Sequence, residues 1–172
     1  EPRGHRPPPA RHLRVGTGVR VAVAVVGKVR DRGLATAIAE YETRAARYWP
    51  LEVHEVREEP ARGMPADLVR EREGERLLAR LPSAAQLVAC DERGQAMTSE
   101  RFAAWLTDRR DRAQDVAFVI GGAYGLAQAV RERAELLLAV APWTLPHELA
   151  RLVLAEQLYR AGTLARGEPY HK

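Results

Sequence analysis

A chain of 172 residues, 46% hydrophobic and 29% charged, has the length and composition of one globular, soluble domain with a core of its own. No apolar run approaches the ~20 residues that cross a bilayer, so no membrane partner is expected, and a single cysteine, Cys90, excludes an internal disulfide framework and fits a reducing, cytoplasmic location. The net charge of +4 sits at the N-terminus, where residues 1–20 hold five arginines against Glu1; the remaining 22 basic and 22 acidic residues cancel, so the pI of 9.6 is weak support for nucleic-acid binding by the folded part.

Residues 1–18 are Pro/Arg-rich, lack periodicity and lack the apolar stretch of a secretory signal; the expectation is a disordered basic extension, either an arm for RNA phosphates or dispensable. The expected domain spans 19–172. Val19 to Val26 is a Val/Ala run closed by Gly27, the pattern of a buried strand. Leu34, Ile38, Tyr41, Ala45 and Tyr48 recur at helical spacing before Pro50. Leu51 to Val56 alternates and reads as a more exposed strand. A Pro/Gly loop leads to a charged helix over 66–81 with Leu68, Leu77, Leu78 and Leu81 inward.

Gln86 to Cys90 is a short apolar strand, and Asp91-Glu-Arg-Gly94 reads as a turn. Thr98 or Ser99 caps a helix to about Arg112 with Phe102, Trp105 and Leu106 inward. Asp115 to Ile120 is the strongest buried-strand pattern. A helix is expected over 126–136, a strand over 137–141 and a last helix over 147–164. Regular alternation of short apolar strands with helices predicts an α/β domain, with a mostly parallel sheet flanked by helices. The last helix is apolar almost all round, which predicts burial on several sides and a subunit interface for the surplus face.

In such folds ligands bind at the carboxyl ends of the strands. Gly121, Gly122 and Gly125 follow a strand there and suit close approach of backbone to a ligand, although neither a G-x-G-x-x-G nor a P-loop pattern is present; a plain tight turn is the alternative. Pro142-Trp-Thr-Leu-Pro-His147 is either a stiff linker or a rigid loop presenting backbone groups to an aromatic ligand. None of the five histidines has metal-ligand spacing, so no metal is expected. His147 is a helix cap or a site residue; Tyr170-His171 is a frayed end or a stacking and edge-reading pair for a base. Asp91 is a turn residue or an acid/base candidate.

At Phe118-Val-Ile-Gly-Gly-Ala-Tyr-Gly-Leu126, Thr144-Leu-Pro-His147, Ala155-Glu-Gln-Leu-Tyr-Arg160 and Arg166-Gly-Glu-Pro-Tyr-His-Lys172 the sequence resembles the RlmH family, small SPOUT-superfamily methyltransferases of large-subunit ribosomal RNA. Val26-Gly-Lys28, Glu40-Tyr-Glu42 and Glu73-Gly-Glu75 extend the likeness over 19–172. The resemblance implies a SPOUT-type single domain with a C-terminal trefoil knot, a homodimer, S-adenosyl-L-methionine as methyl donor, and methylation of N3 of a pseudouridine in 23S rRNA within the assembled 70S ribosome. It places the cofactor against Cys90, Gly121, Gly122, Val140, Ala141, Pro142, Trp143, Thr144 and Leu145, and the target base against His147, Arg160, Tyr170 and His171, with the tail supplied in one arrangement by the partner subunit. Cys90 departs from the Leu expected at its position. The alternatives are a SPOUT methyltransferase of another RNA such as tRNA, and a non-catalytic ribosome-binding α/β dimer.

Overall fold

In the computed structural model, which describes residues 19–171, the Val/Ala run forms strand β1 (Val21–Val26), buried at all six positions. A strand covered on both faces has no polar side to show, so its sequence does not alternate. There follow α1 (Arg32–Ala45), β2 (Leu51–Val56), α2 (Ala66–Ala79), β3 (Gln86–Ala96), α3 (Ser99–Asp111), β4 (Val116–Ile120), α4 (Gln128–Arg133), β5 (Leu136–Ala139) and α5 (His147–Ala165). The strands form one parallel sheet in the order β2-β1-β4-β3-β5. The expected α/β class and parallel sheet are present; the expected N-terminal extension lies outside the described residues.

Period-two geometry divides the strand residues between two cores. Val21, Val23, Val25, Val116, Phe118 and Ile120 face α1, α3 and α5, where Ala45, Phe102, Leu106, Leu154 and Leu158 meet them. Ala22, Ala24, Val26, Ala117 and Val119 face α2 and α4, where Leu77, Ala127 and Val130 close the layer. The small residues on this second face admit α4, and Gly74 of α2 sharpens the fit: a Cβ there would stand 3.0 Å from Val130.

Three expectations need correction. Asp91 to Gly94 is not a free turn but part of β3, looped out so that Cys90 and Gln95 both pair with Leu138. The loop-out brings Gly94 against β5, where a Cβ would lie 2.6 Å from the Leu137 carbonyl. The helix expected over 126–136 shortens to α4: Leu126 and Ala127 are drawn into the core, and Glu135 N–H donates to Leu87 O at 2.9 Å, which starts β5 early. In α2 the inward positions are Val69, Glu73, Gly74 and Leu77, while Leu68 stays half-exposed. The caps follow side-chain chemistry: the Asp31 carboxylate accepts from Leu34 N at 2.8 Å, so that α1 starts at Arg32, two residues ahead of the expected Leu34, and Thr98 rather than Ser99 caps α3.

Helix α5 holds the layers together. Arg151, 9% exposed, points its guanidinium at α1 and β2: Nε and Nη2 donate to the Glu42 carboxylate at 2.8 and 3.3 Å, and Nη1 lies 3.3 Å from Glu55 in an ionic contact without hydrogen-bond geometry. Further along, Trp49 Nε1 donates to Leu158 O at 2.9 Å inside the core. Gly162 permits this approach, since a Cβ there would stand 2.3 Å from Tyr48 Cγ. The near end of the Tyr48 side chain has no rotamer escape. Gly162→Ala is therefore expected to lose about 1–2 kcal/mol in urea unfolding, the overpacking cost exceeding the ~1 kcal/mol gained in helix propensity; unchanged or raised stability would contradict this packing.

Candidate cofactor and target-base site

The loop-out of β3 and the loops that leave β4 and β5 converge at one rim of the sheet and wall a cavity of about 780 Å³, within the ~300–1,000 Å³ range of small-molecule sites. Cys90, Gly121, Gly122, Val140, Ala141, Trp143, Thr144 and Leu145 line it, and so does His147. Pro142 bends the last loop without joining the wall.

The glycine loop is tight for a steric reason. A Cβ on Gly121 would stand 2.7 Å from the Gly125 carbonyl, Gly125 N–H donates to Gly122 O at 3.0 Å, and Gly125 has φ +80°, which favours glycine. One side is closed from below by Glu73 of α2, whose Oε1 accepts from Glu59 N–H at 3.0 Å; a Cβ on Gly122 would meet its other oxygen at 2.9 Å. Burial raises the Glu73 carboxyl above the usual carboxylate range, against the opposing hydrogen bond from Glu59.

Asp91 is no free acid/base group. Its side chain is 5% exposed and receives Arg93 N–H at 2.9 Å and Arg131 Nε at 2.5 Å. Burial works to raise its carboxyl, but these donors prevail and hold it below the usual range. Next to it, Glu92 accepts from the Thr144 hydroxyl and so ties the β3 loop-out to the loop before α5. Burial, with the Asp91 charge beside it, pushes the Cys90 thiol up to about 12. The thiol is neutral near pH 7 and acts as bulk, not as a nucleophile. His147 Nε2 is buried without a hydrogen-bond partner. Trp143 and Tyr124, 76% and 46% exposed, stand on the cavity's two flanking loops.

The other three predicted target-base residues gather elsewhere. Arg160 Nη1 lies 3.2 Å from His171 Nδ1, His171 Nε2 lies 2.8 Å from Glu100, and Tyr170 OH donates to Glu156 at 3.2 Å. Arg160 also stacks on Tyr170 at 4.7 Å, and Tyr170 lies 4.6 Å from the ring of Tyr159. The tail is thus docked on α5. Thirteen residues separate His147 from Arg160, about 20 Å along a helix. Within one chain the structure unites His147 with the loops expected to hold the cofactor and keeps Arg160, Tyr170 and His171 apart from them.

Sequence reasoning missed Arg131 and Arg70, whose Nη1 donates to Tyr124 O at 3.3 Å, and gave no role to Tyr124 and Glu73, which it named only within motifs. Tyr124 left a signal as part of the glycine loop and Glu73 as a carboxylate at a helix's inward spacing; the Arg131–Asp91 contact joins residues 40 apart and has none. Among the described residues no cluster of metal-ligating side chains occurs, and no helix is long and apolar enough to cross a membrane.

Residues 19–171 match the family model "Predicted SPOUT methyltransferase". Among similar proteins, the ribosomal RNA large subunit methyltransferase H of Gemmatimonas aurantiaca is 64% identical over 154 residues, 90% of this chain and 100% of its own length. That of Geobacter sp. (strain M21) is 45% identical over 154 residues, 89% of this chain and 99% of its own. The crystal structure of "Probable Methyltransferase from Bordetella pertussis Tohama I" superposes with a TM-score of 0.53 at 17% identity, over 83% of this chain and 96% of that one, a likeness of fold alone.

The Asp91–Arg131 pair has a measurable pH signature. A depressed carboxyl contributes stability above its unfolded pKa of ~3.9, which is lost as pH falls through its lower folded value. Asp91→Asn is expected to cost about 1–3 kcal/mol at pH 7, with the unfolding curves of variant and parent converging in acid. A difference that stays constant down to pH 2 would show that the charge is not responsible.

Proposed function

This chain belongs to the RlmH family of SPOUT methyltransferases, and from that premise we propose that it methylates 23S ribosomal RNA at N3 of a pseudouridine in the assembled 70S ribosome, with S-adenosyl-L-methionine as donor. The observation that carries the reading is the convergence of His147 with the three loops of the cavity, in a chain that matches nearly the whole length of relatives named as large-subunit rRNA methyltransferases.

The walls suit the donor. The cavity has the right order of volume, the cradle at Gly121 and Gly122 lets backbone approach closely, and backbone groups of residues 140–145 are available to an adenine edge. Glu92, held by the Thr144 hydroxyl and not by an arginine, adds negative charge on the wall beside a cation. When bound, S-adenosyl-L-methionine supplies an electrophilic methyl on a positive sulfur. The chain's own task is to hold the base in line at attack distance and to take the N3 proton. In this reading the imidazole of His147, a residue of the cavity wall, takes that proton. Tyr170 stacks on the base and Arg160 and His171 contact its edge or its phosphate.

Since Arg160, Tyr170 and His171 lie a helix length from His147, the reading includes a homodimer in which one protomer's tail completes its partner's cavity. Half-exposed Leu149, Leu152 and Val153 on α5 supply an apolar face for such an interface. The C-terminal trefoil knot belongs to the same proposal. It is supported by the chain path: α4 covers the α2 face of the sheet, and α5 returns on the opposite one after β5 has passed beyond β3.

The test is incubation with methyl-labelled donor and unmodified 70S ribosomes, free subunits and tRNA, followed by mass mapping. One methyl at a 23S pseudouridine, on 70S particles, is expected; label confined to tRNA would overturn the assignment. Removing Tyr170 to Lys172 is expected to reduce methylation by at least ~100-fold while calorimetry shows donor affinity unchanged. Full activity in that variant would refute the role of the tail.

A further inference from the structure

A second concavity, of about 1010 Å³, opens on the same rim of the sheet, at the carboxyl ends of β1 and β2. Its walls carry Lys28, Arg30, Arg57, Arg76 and Arg80. Two acids share it, and both are engaged: Glu55 with Arg151 at 3.3 Å and Glu58 with Arg30 at 3.4 Å. Arg76 is spent on Glu59. Lys28, Arg57 and Arg80 are exposed, and the ion pairs among the described residues do not include them. A folded part that is formally neutral therefore concentrates three uncompensated cations in one groove.

The groove is tied to the cofactor cavity. Arg30 N–H in its wall donates to Glu148 Oε1 at 3.1 Å, and Glu148 adjoins His147. The cavity sits over the ends of β4 and β3, the groove over β1 and β2. Neighbouring strands are ~4.8 Å apart, so the two openings lie roughly 10 Å from each other along the rim. One RNA strand can occupy both.

We propose that the groove of Lys28, Arg57 and Arg80 is a docking site for RNA backbone phosphates that leads the substrate strand to the cavity at His147. This rests on the reading of the chain as an rRNA methyltransferase. Such contacts position the nucleic acid without reading its sequence. They act before chemistry, so they govern KM and its salt dependence and leave the catalytic rate at saturation alone. They also explain how a protein with no broad basic face grips RNA: the cations are few but aligned with the site.

The experiment uses the full chain carrying Lys28→Ala, Arg57→Ala and Arg80→Ala together, against a control with Arg110→Ala and Arg112→Ala at the C-terminal end of α3, which lines neither the groove nor the cavity. Steady-state methylation of 70S ribosomes is measured across a salt series, with donor affinity by calorimetry. In the groove variant KM for ribosomes is expected to rise at least ~10-fold and the slope of log affinity against log salt to flatten by about 2, as ~0.7–0.9 per lost phosphate contact requires. Saturated rate, donor affinity and the control variant stay within about twofold of the parent. An unchanged KM and slope in the groove variant, with parent activity intact, would overturn the proposal, as would lost binding to anionic lipid vesicles without any change toward ribosomes. Failure of the parent itself to methylate ribosomes would instead remove the functional reading beneath it.

Discussion

The buried guanidinium of Arg151 is the contact on which the C-terminal half depends. It draws Glu42 from α1 and Glu55 from β2 onto one point of α5. Leaving a buried charge without its partner costs about 3–5 kcal/mol, so the helix has one low-energy seat. Arg151 is four residues from His147, on the same helical face. Where the guanidinium sits therefore decides where the imidazole sits, and the loop from β5 must span to that point. The geometry of the cavity's upper wall is thus fixed by an ion pair with no part in the cavity.

Strand and helix order was readable because buried parallel strands must be short apolar runs and each must be followed by a helix. Val21 to Val26 and Val116 to Ile120 have no other stable reading. The misreadings arose where long-range hydrogen bonds outweigh local preference. Asp91 to Gly94 has turn composition, yet pairing of Gln95 and Ala96 with β5 holds it within a strand. Residues 134–136 continue a helical pattern, yet the ladder bond from Glu135 to Leu87 ends the helix. Leu68 matched a helical stripe that the true inward face, set by Val69 and Gly74, leaves to one side.

The site was legible in a different way. Gly121, Gly122 and the Pro-bearing loop announce close backbone approach and rigidity, and both features are found around one cavity. What they do not announce is charge. The carboxylate of Asp91 is neutralised by an arginine from another element, and the thiol of Cys90 by burial. Neither partner can be inferred from spacing. The separation of His147 from Arg160, Tyr170 and His171 was equally hidden, because it is set by the length of α5 and by the docking of the tail on it.

The strand order carries a consequence for how the molecule comes to be folded. β1 lies between β2 and β4, and at the edge of that pairing Arg20 N–H donates to the Asp115 carboxylate, 95 residues away. Sheet neighbours are consecutive in the chain at β1–β2 and β3–β4 alone; the inner edge of β1 waits for a partner that follows three helices and two strands. Loop-closure entropy must be met before those contacts give anything back. The early β1-α1-β2 unit, with an unpaired Val/Ala strand on one side, is then the species most exposed to misassociation during synthesis, and β4 acts in time as well as in space as the piece that closes it.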